Sequence, residues 1–291
     1  MSQLDDLKQQ FPANGFWHFT EPQAGILLLH IHHDCATATV SLYGGQVLSF
    51  QPRGEDDLLW LSSEAHFQPG KAIRGGIPIC WPWFGPHPSD AEAPAHGTVR
   101  KSQWQLHSLD SDQSSAQIVL SYPGDELSLQ LRIVIDSQLQ LSLTSDNRGS
   151  ETATISSALH SYFAISDITD ITITGLEDKP FRDAVNNNRA CLQRGAIHFN
   201  GELDRVYQNV DRPICIHDPG LKRLIRIDNH GSSSAVVWNP WIEKSARLGD
   251  MSPEGYRQMV CVETTNADSD CISLSPGQRH SLSAVISVED L

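Results

Sequence analysis

The sequence predicts an all-β protein built as a large antiparallel β-sandwich. Three observations carry that expectation. Apolar residues recur with period two rather than 3.6, the alternating runs are short, and clusters of Gly, Pro, Asn, Asp and Ser separate them. No window of about 15 residues keeps an apolar stripe at helical spacing.

Taken in order, Ser2–Gln10 has room for one or two helical turns. Strands are expected at Ile26–His32, Ala38–Tyr43, Gln46–Phe50, Gln117–Tyr122, Leu127–Ile135, Leu139–Leu143, Thr152–Ala158, Ile168–Thr174, Ile214–His217, Leu224–Asp228, Ala235–Trp238, Met259–Thr264 and Ser281–Val288. The clearest is L-S-L-Q-L-R-I-V-I at 127–135, which Asp136-Ser137-Gln138 joins as a hairpin to L-Q-L-S-L at 139–143. Pro253-Glu254-Gly255 reads as a turn before a short helical piece. So many antiparallel strands must close or stack to hide their edges. No composition break, linker or repeat divides the chain, so one domain is expected over 1–291, with residues 1–24 as an extension packing on it.

The charge balance narrows the partners. Among 291 residues, 35 are Asp or Glu and 21 are Lys or Arg, a formal net charge of −14. Such a surface repels nucleic acid and anionic membranes, which need clustered cations. It also repels phosphorylated metabolites, except where basic residues gather locally. The longest apolar stretch near the N-terminus, Ile26–Leu29, is far short of the roughly 20 residues that cross a bilayer. The first ten residues lack the apolar core of a secretory signal, so a cytoplasmic address is expected. A monomer is expected as well. The six cysteines never form C-x-x-C and read as reduced, mostly buried apolar residues with no disulfide or metal role.

Two stretches break the alternation. A-I-R-G-G-I-P-I-C-W-P-W-F-G at 72–85 is strongly apolar, yet its glycines and prolines prevent regular ladder pairing, so its backbone needs other partners. V-V-W-N-P-W-I-E at 236–243 places two indoles beside a polar turn. Loop tryptophans either fill a core or line a sugar pocket, where pyranose C–H faces pack on rings.

The 13 histidines show no metal-site spacing. His30, His32 and His33 are dense; on a strand His30 and His32 share one face, where they could coordinate a metal, but exposed-face histidines on a strand are the commoner reading. His96 opens H-G-T-V-R, and Gly97 permits unusual backbone there. His160 closes a strand in A-L-H-S-Y-F, where apolar and aromatic neighbours desolvate it and lower its proton affinity. Glu263 lies in M-V-C-V-E-T-T-N, an apolar setting that a carboxylate rarely enters unless paired or functional. Asp204 in G-E-L-D-R-V-Y reads as an ordinary turn residue. Arg74, ahead of a Gly-Gly pair, either caps carbonyls or forks an oxyanion.

These segments resemble a known family. I-R-G-G-I-P at 73–78, W-P-W-F-G at 81–85, A-H-G-T-V-R at 95–100, L-H-S-Y-F at 159–163, D-R-V-Y at 204–207, V-W-N-P-W-I-E-K at 237–244 and M-V-C-V-E-T-T-N at 259–266 look like the glucose-6-phosphate 1-epimerases. These hexose-6-phosphate mutarotases are a branch of the aldose 1-epimerase superfamily, and the matches follow family order from about residue 25 onward. The resemblance implies a galactose-mutarotase-like β-sandwich and an enzyme without cofactor or metal. It makes His160 the general acid and Glu263 the general base. Arg74 and Arg100 match residues that hold the phosphorylated sugar, Asp204 a residue contacting sugar hydroxyls, and His96 a pocket residue. Where the family commonly has Phe-Ala inside H-G-x-x-R, this chain has Thr98-Val99. The expected reaction is interconversion of the α and β anomers of a hexose 6-phosphate. The alternatives are an epimerase of unphosphorylated aldoses and a carbohydrate-binding β-sandwich without catalysis.

Overall fold

The computed structural model describes residues 2–291, and antiparallel sheets dominate it. A four-stranded sheet takes Trp17–Gln23, Ile26–His32, Ala36–Ser41 and Gln46–Pro52 in chain order. What we call the first large sheet runs in the order Arg189–Leu192, Pro180–Asp183, Leu203–Gln208, Ser234–Asn239, Met259–Asn266, Ser157–Leu159 and Ile79–Cys80. Tyr162–Ala164 also pairs with Met259–Asn266. The second large sheet runs Thr172–Thr174, Ile214–Asp218, Arg223–His230, Arg279–Asp290, Leu139–Asn147, Leu127–Ile135, Ala116–Tyr122 and Gln105–Ser111. A single apolar cluster joins all three, from Leu29 and Val40 through Val260 and Val262 to Leu131 and Ile286. The predicted all-β sandwich is what the chain forms.

The alternating segments became strands because their apolar side chains all reach one face, which is buried against the neighbouring layer. Leu127–Ile135 and Leu139–Asn147 pair over nine residues, closed by a tight turn in which the Asp136 carboxylate accepts the Gln138 N–H at 2.6 Å. The N-terminal helix, Gln3–Gln10, is set by a capping box between Ser2 and Asp5 and buries none of its residues fully.

Several expectations needed correction. Thr152–Ala158 is two strands, Ala153–Ile155 and Ser157–Leu159, which pair in different sheets. Ile168–Thr174 shrinks to Thr172–Thr174. Trp17–Gln23, within the expected N-terminal extension, is an edge strand of the four-stranded sheet. Asp204 lies within the strand Leu203–Gln208, not at a turn. Of the six cysteines only Cys80 and Cys261 are buried, while Cys271 is exposed and the other three are intermediate. His30 and His32 do lie on one face, where both stack on His18 from the neighbouring strand, at ring separations of 4.7 and 5.1 Å.

Candidate active site

The strand Met259–Asn266 is buried at every position. Its even-numbered residues Val260 and Val262 face the main core, while Met259 and Cys261 join a second apolar cluster with Tyr162, Val206, Val236, Trp238 and Met251 on the other face. Glu263 shares that second face by the two-residue period of a strand. A strand apolar on both sides reads as a continuous run, which is why M-V-C-V-E stood out.

The chain 157–164 pairs with this strand on both sides of His160. Leu159 lies opposite Thr264 and Tyr162 opposite Cys261, so the unbroken register puts His160 opposite Glu263. Ser161 O accepts the Val262 N–H at 3.2 Å, which holds the register across the gap. His160 therefore sits at an interruption between two short strands, rather than closing one. Its own N–H donates to Pro78 O at 3.0 Å. Directly opposed residues on one face bring their side chains into contact, and His160 Nε2 lies 3.4 Å from Glu263 Oε1. Glu263 is 2% exposed and His160 9%. The atoms outside that contact, His160 Nδ1 and Glu263 Oε2, are buried without a hydrogen-bond partner.

Burial drives both groups toward neutrality. It pushes the Glu263 carboxyl well above the usual carboxylate range, with Asp204 adding to the rise and Arg100 opposing it. It pushes His160 well below the ordinary imidazole value, helped by His96, Arg100 and Arg74. Both shifts favour a proton on Glu263 over one on His160.

A wall of rings orients the imidazole. Tyr162 stacks on His160 at 4.9 Å, Trp238 meets it edge-on at 6.2 Å and His96 at 5.9 Å. His96 has φ 65° and accepts the Gly85 N–H on Nδ1 at 3.3 Å, which leaves its ring proton on Nε2. Burial, then Arg100 and Arg74, push it down to about 4. Gly97 follows at φ 74°, and a side chain there would run into the Trp81 carbonyl. The same chemistry explains the irregular stretch 72–85: carbonyls of its residues 73–76 are taken by Ser62 N, Tyr162 N and the Gln46 amide, and Gly75 and Gly76 approach the backbone of Trp60 and Val47 too closely for any Cβ.

The two arginines differ. Arg74 Nε meets Asp250 Oδ1 at 2.6 Å and its Nη1 donates to Tyr162 Oη at 3.1 Å. Arg100, on the short turn Val99–Lys101, donates Nη2 to Ala95 O at 2.8 Å, and its buried Nε has no partner. Asp204 lies opposite Trp238, Trp238 opposite Cys261 and Cys261 opposite Tyr162, one row across the sheet beside the row of Glu263. The six residues singled out in the sequence are thus carried by the same face of the sheet and the loops beside it. Sequence reasoning missed Asp250, Trp60, which stacks on Tyr162 at 5.8 Å, and Lys244, whose ammonium lies 5.9 Å from the Trp238 ring. A cavity of about 400 Å³ is lined by Phe84, Ser156, Cys271 and the Arg182–Asp268 ion pair among others, and by none of the six singled-out residues, so Phe84 is its link to the site. Phe84 meets His96 at 5.0 Å.

The aldose 1-epimerase family pattern matches residues 28–287. The chain belongs to the aldose 1-epimerase family. It is therefore an enzyme of the isomerase class, a mutarotase by fold. A Salmonella typhimurium protein provisionally named glucose-6-phosphate 1-epimerase is 36% identical over 250 residues, 82% of this chain and 83% of its own length. A Cenchrus ciliaris protein with the same provisional name is 35% identical over 274 residues, 85% of this chain and 81% of its own. The crystal structure of a provisionally assigned mutarotase from Salmonella typhimurium matches with TM-score 0.89 at 30% identity, over 96% of this chain and 95% of that one.

Proposed function

We propose that this aldose 1-epimerase interconverts the α and β anomers of a hexose 6-phosphate, glucose 6-phosphate first among them. The observation that carries the proposal is the enclosed His160–Glu263 contact, whose two outer atoms are unpaired, set among two arginines in a chain of net charge −14. Glu263 takes the proton of the anomeric hydroxyl while His160 gives one to the ring oxygen. The C1–O5 bond breaks, C1 rotates about C1–C2, and closure from the other face reverses both transfers. Each positioned proton transfer typically contributes about 10²–10⁴-fold.

The working form is carboxylate beside imidazolium, reached from the neutral pair by moving its one proton across the 3.4 Å contact. Arg74 and Arg100 both oppose a charge on His160. A phosphate held by them offsets that opposition, so a phosphorylated sugar favours the imidazolium at the moment it is needed. Phosphate therefore acts on turnover as well as on binding. His96, kept neutral, offers Nε2–H as a donor, and Asp204 offers an acceptor to sugar hydroxyls.

Anomer exchange of glucose 6-phosphate measured by NMR tests the reading. Wild-type protein is expected to accelerate it, and to act far more weakly on glucose. Full activity of Glu263→Gln or His160→Asn would refute the assigned roles, and equal rates on both sugars would favour an unphosphorylated aldose as substrate. The Asp250 carboxylate already on Arg74 is the feature that makes this comparison of sugars necessary.

A further inference from the structure

Asp250 pairs with Arg74 but has no part in the proton transfers. It stands on the turn that follows the short helix Trp241–Ser245, next to Met251, which is buried in the second apolar cluster. Ser62, itself buried, ties this turn to the segment of Arg74: its N–H donates to Arg74 O at 3.1 Å and its hydroxyl to Asp250 O at 2.7 Å. The two backbones are fixed before the side chains meet. Beside this tie the Asp250 carboxylate accepts Arg74 Nε–H at 2.6 Å, while the Tyr162 hydroxyl accepts from Nη1 at 3.1 Å. Tyr162 is buried and stacks on His160 with the rings 12° from parallel, so its hydroxyl is held in place. Among the described residues the Arg74 guanidinium has no other partner, which leaves both Nη2 hydrogens for a ligand.

We propose that Asp250 is a positioning residue for the phosphorylated substrate: by occupying Nε it holds the Arg74 guanidinium in one orientation, with Nη2 presented to the phosphate. The inference rests on the reading of Arg74 as a phosphate ligand. An arginine free to rotate loses rotamer freedom when an anion captures it, whereas one already fixed loses little, so this orientation lowers KM without touching the proton transfers. The opposing effect is charge, because a carboxylate on Nε also repels phosphate. Orientation is the larger effect: Asp250 is part-exposed, so water and salt screen its repulsion, while the contact that fixes Nε is short and charge-assisted. With Nε taken, Arg74 cannot offer an anion the side-on fork of Nε and Nη2. The remaining contacts fall to Arg100, whose own Nε has no partner.

The test is anomer exchange of glucose 6-phosphate, measured by NMR over a range of concentrations in Asp250→Ala, Asp250→Ser and Asp250→Asn. Asp250→Ala frees Nε, so KM should rise about five- to twentyfold while kcat stays within about twofold. Asp250→Ser, one bond too short to reach Nε, should match it. Asp250→Asn keeps an oxygen for Nε–H and removes the charge, so its KM should stay at or below the wild-type value. The KM for glucose should not share the rise, and in an Arg74→Ala background Asp250→Ala should add nothing. A wild-type KM in Asp250→Ala and Asp250→Ser, an equal rise in Asp250→Asn or for glucose, or a full further rise in the Arg74→Ala background would overturn the proposal. Inactivity of the wild-type protein on every sugar phosphate, or a wild-type KM in Arg74→Ala, would instead overturn the reading on which it rests.

Discussion

The two large sheets have eight strands each and share one apolar cluster, yet they treat their second faces differently. In the second sheet, strands such as Leu127–Ile135 and Arg223–His230 alternate buried with part-exposed positions, and the outward face is polar. In the first, Ser234–Asn239 and Met259–Asn266 are buried throughout, because their far face is covered by Trp60, Phe84, Met251 and the loops that bring Arg74 and Arg100. A sheet face covered by loops can hold an ionisable pair away from water. A sheet face open to solvent cannot shift the proton affinity of its residues much. The proposed chemistry sits where alternation fails.

The sharpest way to break this contrast is Glu263→Gln. It keeps the shape of the buried face but removes the base, so kcat for anomer exchange should fall by about 10²–10⁴-fold with the circular dichroism spectrum unchanged. Arg100→Ala and Arg74→Ala should follow, weakening binding of the sugar phosphate by about 1.5–3 kcal/mol, read as a rise in its KM that the KM for glucose does not share. The Arg100 loss should be the larger, since Arg74 is already engaged by Asp250. On the second sheet the buried Leu143→Ala should do the reverse, costing about 2–5 kcal/mol of stability in denaturant titration while the folded fraction keeps its kcat. Part-exposed Thr144, whose hydroxyl meets Ser281 Oγ at 2.8 Å, marks the small end: Thr144→Ala should stay within about 0.5 kcal/mol and leave activity alone.

The same contrast predicts how stability depends on pH. An unfolded Glu releases its proton near pH 4.3, whereas buried Glu263 keeps its proton to higher pH. The folded value is raised, so the wild type loses stability as pH rises above the unfolded value. Glu263→Gln removes that loss. Its melting temperature should exceed the wild type's at pH 8 and match it near pH 4. His160 is lowered, so its contribution runs the other way: stability falls as pH drops below about 6.5. A Glu263→Gln curve parallel to wild type would show that the carboxyl is not held neutral.

Much of this was legible in one chain of letters, and the gaps have physical reasons. Period two found the long strands, and an acidic residue among Met, Val and Cys found Glu263. Leu203–Gln208 went unrecognised because Asp204 and Arg205 interrupt its apolar period, although the sheet accommodates both. Asp250 carries no local signal, and Lys244 shows only as the last letter of V-W-N-P-W-I-E-K. Asp250 meets Arg74 across 176 positions and Lys244 meets Glu202 across 42, so only the folded chain brings them together. The roles of His160 and Glu263 came from family likeness. Their direct opposition in the ladder did not, because register is invisible until the strands are paired.

That opposition has a mechanical consequence. The gap between imidazole and carboxyl is set by the same backbone ladder that pairs residues 157–164 with 259–266, in the middle of a sheet rather than on a hinged loop. The two groups therefore separate only when the central strands part. The Val262 amide, bonded across this gap, should exchange with solvent deuterium as slowly as the most protected core amides, through opening of the whole molecule.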